Sequence, residues 1–394
     1  MTAKTLYIHI GHYKTGTTAL QVFCAGNKGW LARKGLAYPS LTEDHKVHAK
    51  QSDFAFCLYH AAGVQTLMHG YNRPDTPKAL WGRLFDHIRA GSAPRTLISS
   101  EEFARLGAYP AAAAHLARVR EMAPDIDIRI LAYLRPPQDH LRAWYNQLIK
   151  MQRSVADFNT ALSREIEPVH WDYGLMLRPW VQIFGADRVT LRPYSDALRQ
   201  GDALYEDFLA LFDLRLPRLW ARVPKEDPNP RLDDRLLDVV RVSHRAGLPP
   251  PMTKLVRDRA QAFLAQQDQG QGAGIPEGEA LFRPRTDIDQ IVAQCRAGLE
   301  GLRALPGCAM DLTPFLAALP QAESAEVTAL RQQIGFLTTQ INLQRHRVNQ
   351  MQADYEARLA TLERALTGRG PAVSRSDDLE DSGSGDAKPD DAPK

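Results

Sequence analysis

The spacing of apolar residues changes period within the first two dozen positions. Leu6, Ile8 and Ile10 alternate as in a β-strand, whereas Ala19, Leu20, Val22 and Phe23 suit a helix. The same reading predicts a helix over 17–33, a short strand at Gly35–Ser40 and a helix near 78–90. A buried strand at Leu97 and Ile98 then opens onto two serines and two glutamates. An alanine-rich helix over 110–123 precedes a strand over 126–134, an Arg-Pro-Pro junction and a long helix. Prolines fit the first helical turn, where a missing N–H costs little. Another helix over about 173–184, a strand in Arg188–Tyr194 and a helix over about 202–213 complete the series.

Strands alternating with helices predict an α/β fold: a P-loop-like parallel sheet flanked by helices. Ligands of such sheets bind outside the carboxyl ends of the strands. Lys14, the acids Glu101 and Glu102, and Arg135 all follow strands, so their segments can meet at one edge. Residues 217–320 are richer in Pro, Gly and loop residues, with helices near 231–245, 252–267 and 286–304, and read as a cap on the sheet.

From Glu326 apolar residues recur at alternating steps of three and four. The positions are Val327, Leu330, Ile334, Leu337, Ile341, Gln344, Val348, Met351, Tyr355, Arg358, Leu362 and Ala365. Ten of these twelve are apolar and no proline interrupts them, which predicts a C-terminal coiled-coil helix and a homo-oligomer, dimer or trimer, joined through 326–366. The competing reading is one amphipathic helix folded back on the domain. After Gly368 the chain is poor in apolar residues and rich in Asp, Ser, Gly and Pro, the composition of a disordered acidic tail. The expected organisation is therefore a domain over 1–320, a coiled coil over 324–367 and a tail over 368–394.

Composition narrows the classes. The 394 residues are 44% hydrophobic and 24% charged, enough for a substantial core. A net charge of +3 with no basic block gives no reason to expect nucleic acid as a partner. No apolar run is long enough to span a membrane, and no signal-type segment precedes the first strand. Cys24, Cys57, Cys295 and Cys308 form no C-x-x-C pair, which argues against a metal site or disulfide framework. They read as buried thiols in a reducing, cytoplasmic setting.

The first strand-to-helix junction, Gly11 to Thr18, holds two glycines, a lysine and three threonines. Glycines let the backbone bend tightly and approach a ligand, and threonines at a helix N-terminus sit where free N–H groups favour an anion. A Walker A loop has its lysine directly after the second glycine. Here Lys14 precedes Gly16 by two places, which makes an ordinary ATPase a poor fit. His45, His48, His60 and His69 lack a compact ligand spacing, so surface or supporting roles are expected.

These residues resemble the sulfotransferases that use 3′-phosphoadenosine 5′-phosphosulfate (PAPS). The stretch His9–Gln21 is similar to that family's 5′-phosphosulfate loop, and Ile130–Gln147 to its 3′-phosphate segment. Leu97–Phe103 resembles the strand that brings a catalytic acid in bacterial, carbohydrate-directed members. The resemblance spans roughly residues 5–300 and is strongest before 152. It implies that Lys14 contacts the phosphosulfate and stabilises the leaving phosphate. Thr15, Gly16, Thr17 and Thr18 would bond the 5′-phosphate, and Arg135 the 3′-phosphate through its forked geometry. Glu101 would be the general base that takes the acceptor hydroxyl's proton. Glu102 and His48 are alternatives for that role. The acceptor would be a carbohydrate or glycoconjugate, and no metal is required. Ala143 stands where the family has a serine, which leaves open whether Arg142, Tyr145 or a C-terminal residue replaces it. A chain that kept the nucleotide fold but lost turnover, serving as an oligomeric scaffold, is the alternative.

Overall fold

The computed structural model describes residues 4–40, 49–64, 75–153, 155–217, 221–224, 232–268 and 288–367. His45, His48, His69 and the tail over 368–394 lie outside them. Two compact units divide the chain, Met1–Thr339 and Gln340–Lys394.

Five strands form one parallel sheet in the order β2-β3-β1-β4-β5. They are β1 (Lys4–His9), β2 (Leu36–Ala37), β3 (Arg95–Ser99), β4 (Ile126–Leu134) and β5 (Val189–Pro193). The period-two pattern of the opening strand sorts its residues between two cores. Leu6, Ile8 and Ile10 enter one together with Ile98, Ile128 and Ile130. Tyr7 packs on the other, which holds Leu97, Leu131 and Tyr133. Both faces of the sheet are thus covered, as parallel strands require.

The helices follow the predicted alternation, with local differences. The stretch over 17–33 is two helices, α1 (Thr17–Gly26) and α2 (Lys28–Arg33), broken at Asn27. The Asn27 side chain donates to the carbonyl of Phe23 at 2.8 Å and of Arg222 at 3.0 Å, so it serves the break rather than a continuous helix. Helix α3 (Asp53–Ala61) emerges from a segment whose pattern signalled no element, because it is buried on nearly every side. Helices α4 (Pro77–Ala90), α5 (Pro110–Glu121), α6 (Pro137–Lys150), α7 (Phe158–Arg164), α8 (Tyr173–Phe184) and α9 (Ala203–Ala210) complete the sheet's layers.

Helices α10 (Leu237–Arg245), α11 (Pro250–Asp268), α12 (Ile288–Leu302) and α13 (Thr313–Ala317) occupy the region expected to form a cap. Part of it closes the sheet edge instead. Leu191 of β5 donates its N–H to Gly307 O at 3.1 Å, and Leu191 pairs with Cys308 in an isolated parallel bridge. That placement leaves Cys308 half-buried, unlike the buried Cys24, Cys57 and Cys295. The last helix, α14 (Ala325–Thr367), runs for 43 residues. Its start belongs to the first unit, which reaches Thr339. No helix among the described residues is long and apolar enough to cross a membrane.

The edge contact gives a direct test. A Cβ on Gly307 would stand 1.7 Å from Val189 O, which no side-chain rotation relieves. Gly307→Ala is expected to cost about 1–3 kcal/mol or more, the range of overpacking, read as a lower urea midpoint with unchanged slope.

Candidate active site

The order β3-β1-β4 sets the ends of three strands side by side. His9 is in register with Ser99 on one flank and Leu131 on the other. The chain leaves β1 toward β2 and β3, and leaves β4 toward β5, so its connections diverge between β1 and β4. That divergence is where an open parallel sheet offers a crevice. The segment bearing Lys14 follows β1, Glu101 follows β3 and Arg135 follows β4.

The loop after β1 is held in a conformation few residues adopt. Gly11, Lys14 and Gly16 have φ of 46°, 64° and 75°. A non-glycine residue there stores about 1–3 kcal/mol, strain that persists only where the surroundings impose it. A Cβ on Gly11 would meet Thr17 Oγ1 at 2.7 Å, and one on Gly16 would meet Leu204 Cδ2 at 2.6 Å. Thr15 braces the bend from inside, its hydroxyl donating to His12 O at 2.5 Å. Thr17 is buried, with its hydroxyl 3.4 Å from the same carbonyl. Two threonine hydroxyls therefore serve the loop itself, while Thr18 is exposed. Helix α1 begins at Gly16 with no side-chain cap. Its first-turn N–H groups form the kind of seat that favours an anion. Lys14 Nζ donates to Gln147 Oε1 on α6 at 3.3 Å, linking the loop to the helix that follows Arg135. Arg135 is half-buried, and its carbonyl accepts from the Tyr173 hydroxyl at 2.6 Å.

The two glutamates after β3 have opposite environments. Glu101 retains 14% side-chain exposure and pairs with Lys50 Nζ at 3.4 Å. Gln21 Nε2 donates to its other oxygen at 3.1 Å. Burial pushes its pKa up, but Lys50, its backbone N–H and Gln21 outweigh that and hold it below the usual range. Glu102 is fully buried, and accepts from the Tyr13 hydroxyl at 2.7 Å. Burial and the neighbouring Glu101 charge raise it to about 7. Glu101 can therefore meet a ligand as a carboxylate, whereas Glu102 faces the protein.

Lys50, Gln21, Gln147 and Tyr13 contact the candidate residues, and sequence patterns did not single them out. Lys50 comes from a distant loop, fixed because Gln51 N donates to Ser99 O at 3.1 Å and Ser99 N donates to Gln51 Oε1 at 2.8 Å. Nothing in its local sequence signals that. Gln21 was readable in principle, standing one turn beyond Thr17 on a buried helix face.

The expectation that no metal-ligand residues cluster needs correction. His12, His140 and His170 are buried together, one ring nitrogen from each within 4.8 Å of the others. Residues so far apart in the chain give no spacing signal. Burial, the largest cause, lowers His12 to about 3 and the other two well below their usual value, so all are neutral. Their geometry is that of packing. His12 stacks on His140 at 3.6 Å with planes 16° apart, which sets their in-plane lone pairs side by side rather than converging. His140 Nε2 and His170 Nδ1 are 3.1 Å apart and use each other. As folded, the cluster forms a neutral wall behind the loop.

The proposed substitutes for the absent serine are already engaged. Ala143 is buried, Tyr145 donates to Ala156 O at 2.8 Å, and Arg142 pairs with Glu323 while lying 4.0 Å over the Phe158 ring. A cavity of about 720 Å³ lies between α8 and α12, but neither Lys14, Glu101 nor Arg135 lines it.

No family model matches the chain, and no curated protein matches it. Among solved structures, a sulfotransferase from Alicyclobacillus acidocaldarius is similar at 20% identity over 62% of this chain and 94% of that one, with a TM-score of 0.36. The functional reading accordingly stands on the residues of the site.

Glu102 makes a stability prediction with a definite sign. Its folded pKa lies above the ordinary carboxylate value, so the folded state binds the extra proton between about pH 4.5 and 7. Its contribution is present below that window, is lost as pH rises through it, and amounts to at most about 3 kcal/mol. Glu102→Gln keeps an acceptor for Tyr13 and should flatten the fall in melting temperature between pH 5 and 7. An unchanged slope would remove the assignment.

Proposed function

We propose that this chain is a sulfotransferase that passes the sulfuryl group of PAPS to a hydroxyl, in a carbohydrate or glycoconjugate acceptor. The observation that carries the reading is Lys14 held in left-handed backbone beside an uncapped helix N-terminus. What supports the rest is the likeness of three segments to that family, together with the sheet order that sets those segments at one edge. The acceptor class rests on that likeness alone. The chain would act in the cytoplasm, without a metal, as a homo-oligomer joined through 326–366.

On this reading the acceptor oxygen forms the new O–S bond while the bond from sulfur to the bridging phosphate oxygen breaks. The acceptor's proton passes to a Glu101 carboxylate oxygen. Charge left on the departing phosphate is met by the Lys14 ammonium and the N–H groups opening α1, the arrangement that stabilises a developing anion. Thr15, Gly16, Thr17 and Thr18 form the 5′-phosphate seat through their backbone, and Arg135 binds the 3′-phosphate. Lys50 keeps Glu101 ionised and oriented. Because its pKa lies below the carboxylate range, loss of the base does not limit turnover between pH 6 and 8.

A panel of glycans incubated with PAPS should release 3′-phosphoadenosine 5′-phosphate with at least one acceptor. Lys14→Ala should lower turnover about 10²–10³-fold, the range for removing one charge-stabilising donor. Glu101→Gln should lower it about 10²–10⁴-fold. Glu101→Gln should leave the product's affinity within about twofold, as its role is proton transfer. Full turnover in Glu101→Gln would refute the base assignment.

One observation favours the scaffold reading. Arg142 and Tyr145 are committed elsewhere, so neither replaces the missing serine as folded. Calorimetry makes the first discrimination: absence of 3′-phosphoadenosine 5′-phosphate binding favours the scaffold, and so does binding without turnover on any acceptor.

A further inference from the structure

The start of α14 has two unlike faces. One lies on the first unit: Gly335 and Thr339 are buried, and a Cβ on Gly335 would stand 2.9 Å from both Asp238 O and Val242 Cγ2 of α10. The absence of a side chain lets the two helices approach. The other face carries Val327, Leu330, Ile334 and Leu337, which are 41% to 58% exposed. At about 100° per residue these sets fall on nearly opposite sides of the helix. A helix simply folded back on its domain would bury its apolar stripe. This one turns small residues inward and the stripe outward. In the second unit the same spacing continues through Ile341, Val348, Met351, Tyr355 and Leu362, all exposed.

We propose that this stripe is the seam of a parallel, two-stranded coiled coil formed with a second copy of the chain. Assigning Val327 to position a places Ile334, Ile341 and Val348 at a, with Leu330 and Leu337 at d. β-Branched residues at a with leucine at d favour two strands. The flanks fit a parallel register. Position g of one heptad faces position e of the next on the other strand, which sets Glu326 against Arg331, whose guanidinium also meets Glu323 of its own chain at 2.6 Å. The later pairs, Gln333–Thr338, Gln340–Arg345, Arg347–Gln352 and Asp354–Leu359, contain no like charges. A fully overlapped antiparallel pair would instead bring the Arg345–Arg347 stretch onto its own copy. Positions a, d, e and g over six heptads supply about 24 residues a side, within the 20–30 typical of a stable interface. Gln344 at d meets its own counterpart, and two amides there fix register. Arg358 at d costs stability, offset by Asp354 one turn earlier on the same helix. This pairing does not depend on the sulfotransferase reading.

Light scattering on the full chain at micromolar concentration should give twice the chain mass. Ile334→Asp combined with Leu337→Asp should shift it to the single-chain mass. Both side chains are exposed, so melting of the globular unit should be unchanged. Leu330→Cys should cross-link to its own copy under mild oxidation, which an antiparallel pair prevents. A monomeric or trimeric wild type overturns the proposal, as does a double variant that stays dimeric or a cysteine variant that fails to cross-link. Capture of a different helical partner by a monomeric chain also overturns it.

Discussion

The tight bend between β1 and α1 is the constraint on which the rest of the site depends. Parallel strands put both their hydrogen bonds and their side chains inside the protein, so β1 has little freedom to adjust its exit. Within eight residues the chain must leave the sheet, reverse and begin a helix. It does so with positive φ at Gly11, Lys14 and Gly16 and with Thr15 hydrogen-bonded across the turn. Leu204 and Tyr194 close over Gly16, and Thr17 fills the space behind Gly11. A lysine strained in this way has its backbone direction set before any ligand arrives. That is pre-organisation, and its cost is borne by the packing around it.

The same edge handles its ionisable and polar groups by sorting them. Ser99 Oγ lies 2.8 Å from His9 Nδ1 and accepts from Gln21 Nε2 at 3.3 Å, and Gln21 reaches on to Glu101. Burial lowers His9 to about 4 even though the Glu101 charge pulls it upward, so the histidine is neutral. The negative charge therefore rests on the one carboxylate that faces a cation and retains exposure. Its neighbour Glu102, one residue on, is buried against Tyr13 and is close to half-protonated at neutral pH. Two ionised glutamates side by side in so dry a place would repel each other. Separating their pKa values through environment avoids that.

Regular elements were legible in the sequence because their signals are local. The strand over Ile126–Leu134 and the helix over Tyr173–Phe184 each stand out by period alone. Helix α3 did not, because residues buried all round lose the amphipathic pattern that marks a surface helix. Lys14, Glu101 and Arg135 could be assigned from the sequence to the ends of neighbouring strands, because each follows one. Their supporting residues could not. Lys50 is fixed by a backbone pairing between Gln51 and Ser99, and the three stacked histidines come from a loop, a helix and a short turn. Such juxtapositions are properties of the packed chain. The glycine at 335 belongs to this class as well, since its meaning lies in the carbonyl of Asp238.

Glu323 links the root of α14 to the rest of the first unit. Its backbone exchanges two hydrogen bonds with the Asn159 side chain, at 2.9 and 3.0 Å. Its carboxylate meets Arg331 of α14 at 2.6 Å and also Arg142 of α6. Two guanidinium groups share one largely buried carboxylate, and both remain partly exposed to solvent. Removing the acid would leave two cations facing each other, whereas losing either arginine would still leave a neutral ion pair. Arg142 lies on the same helix as Gln147, which contacts Lys14. The N-terminal part of the long helix is thus fastened to the element that also contacts the strained loop. That fastening uses charge and backbone bonds, while Gly335 makes the close approach to α10, and neither uses the apolar stripe. Among the described residues Val327, Leu330, Ile334 and Leu337 of the stripe belong to neither hydrophobic core and stay 41% to 58% exposed, which is the physical basis for the pairing proposed above.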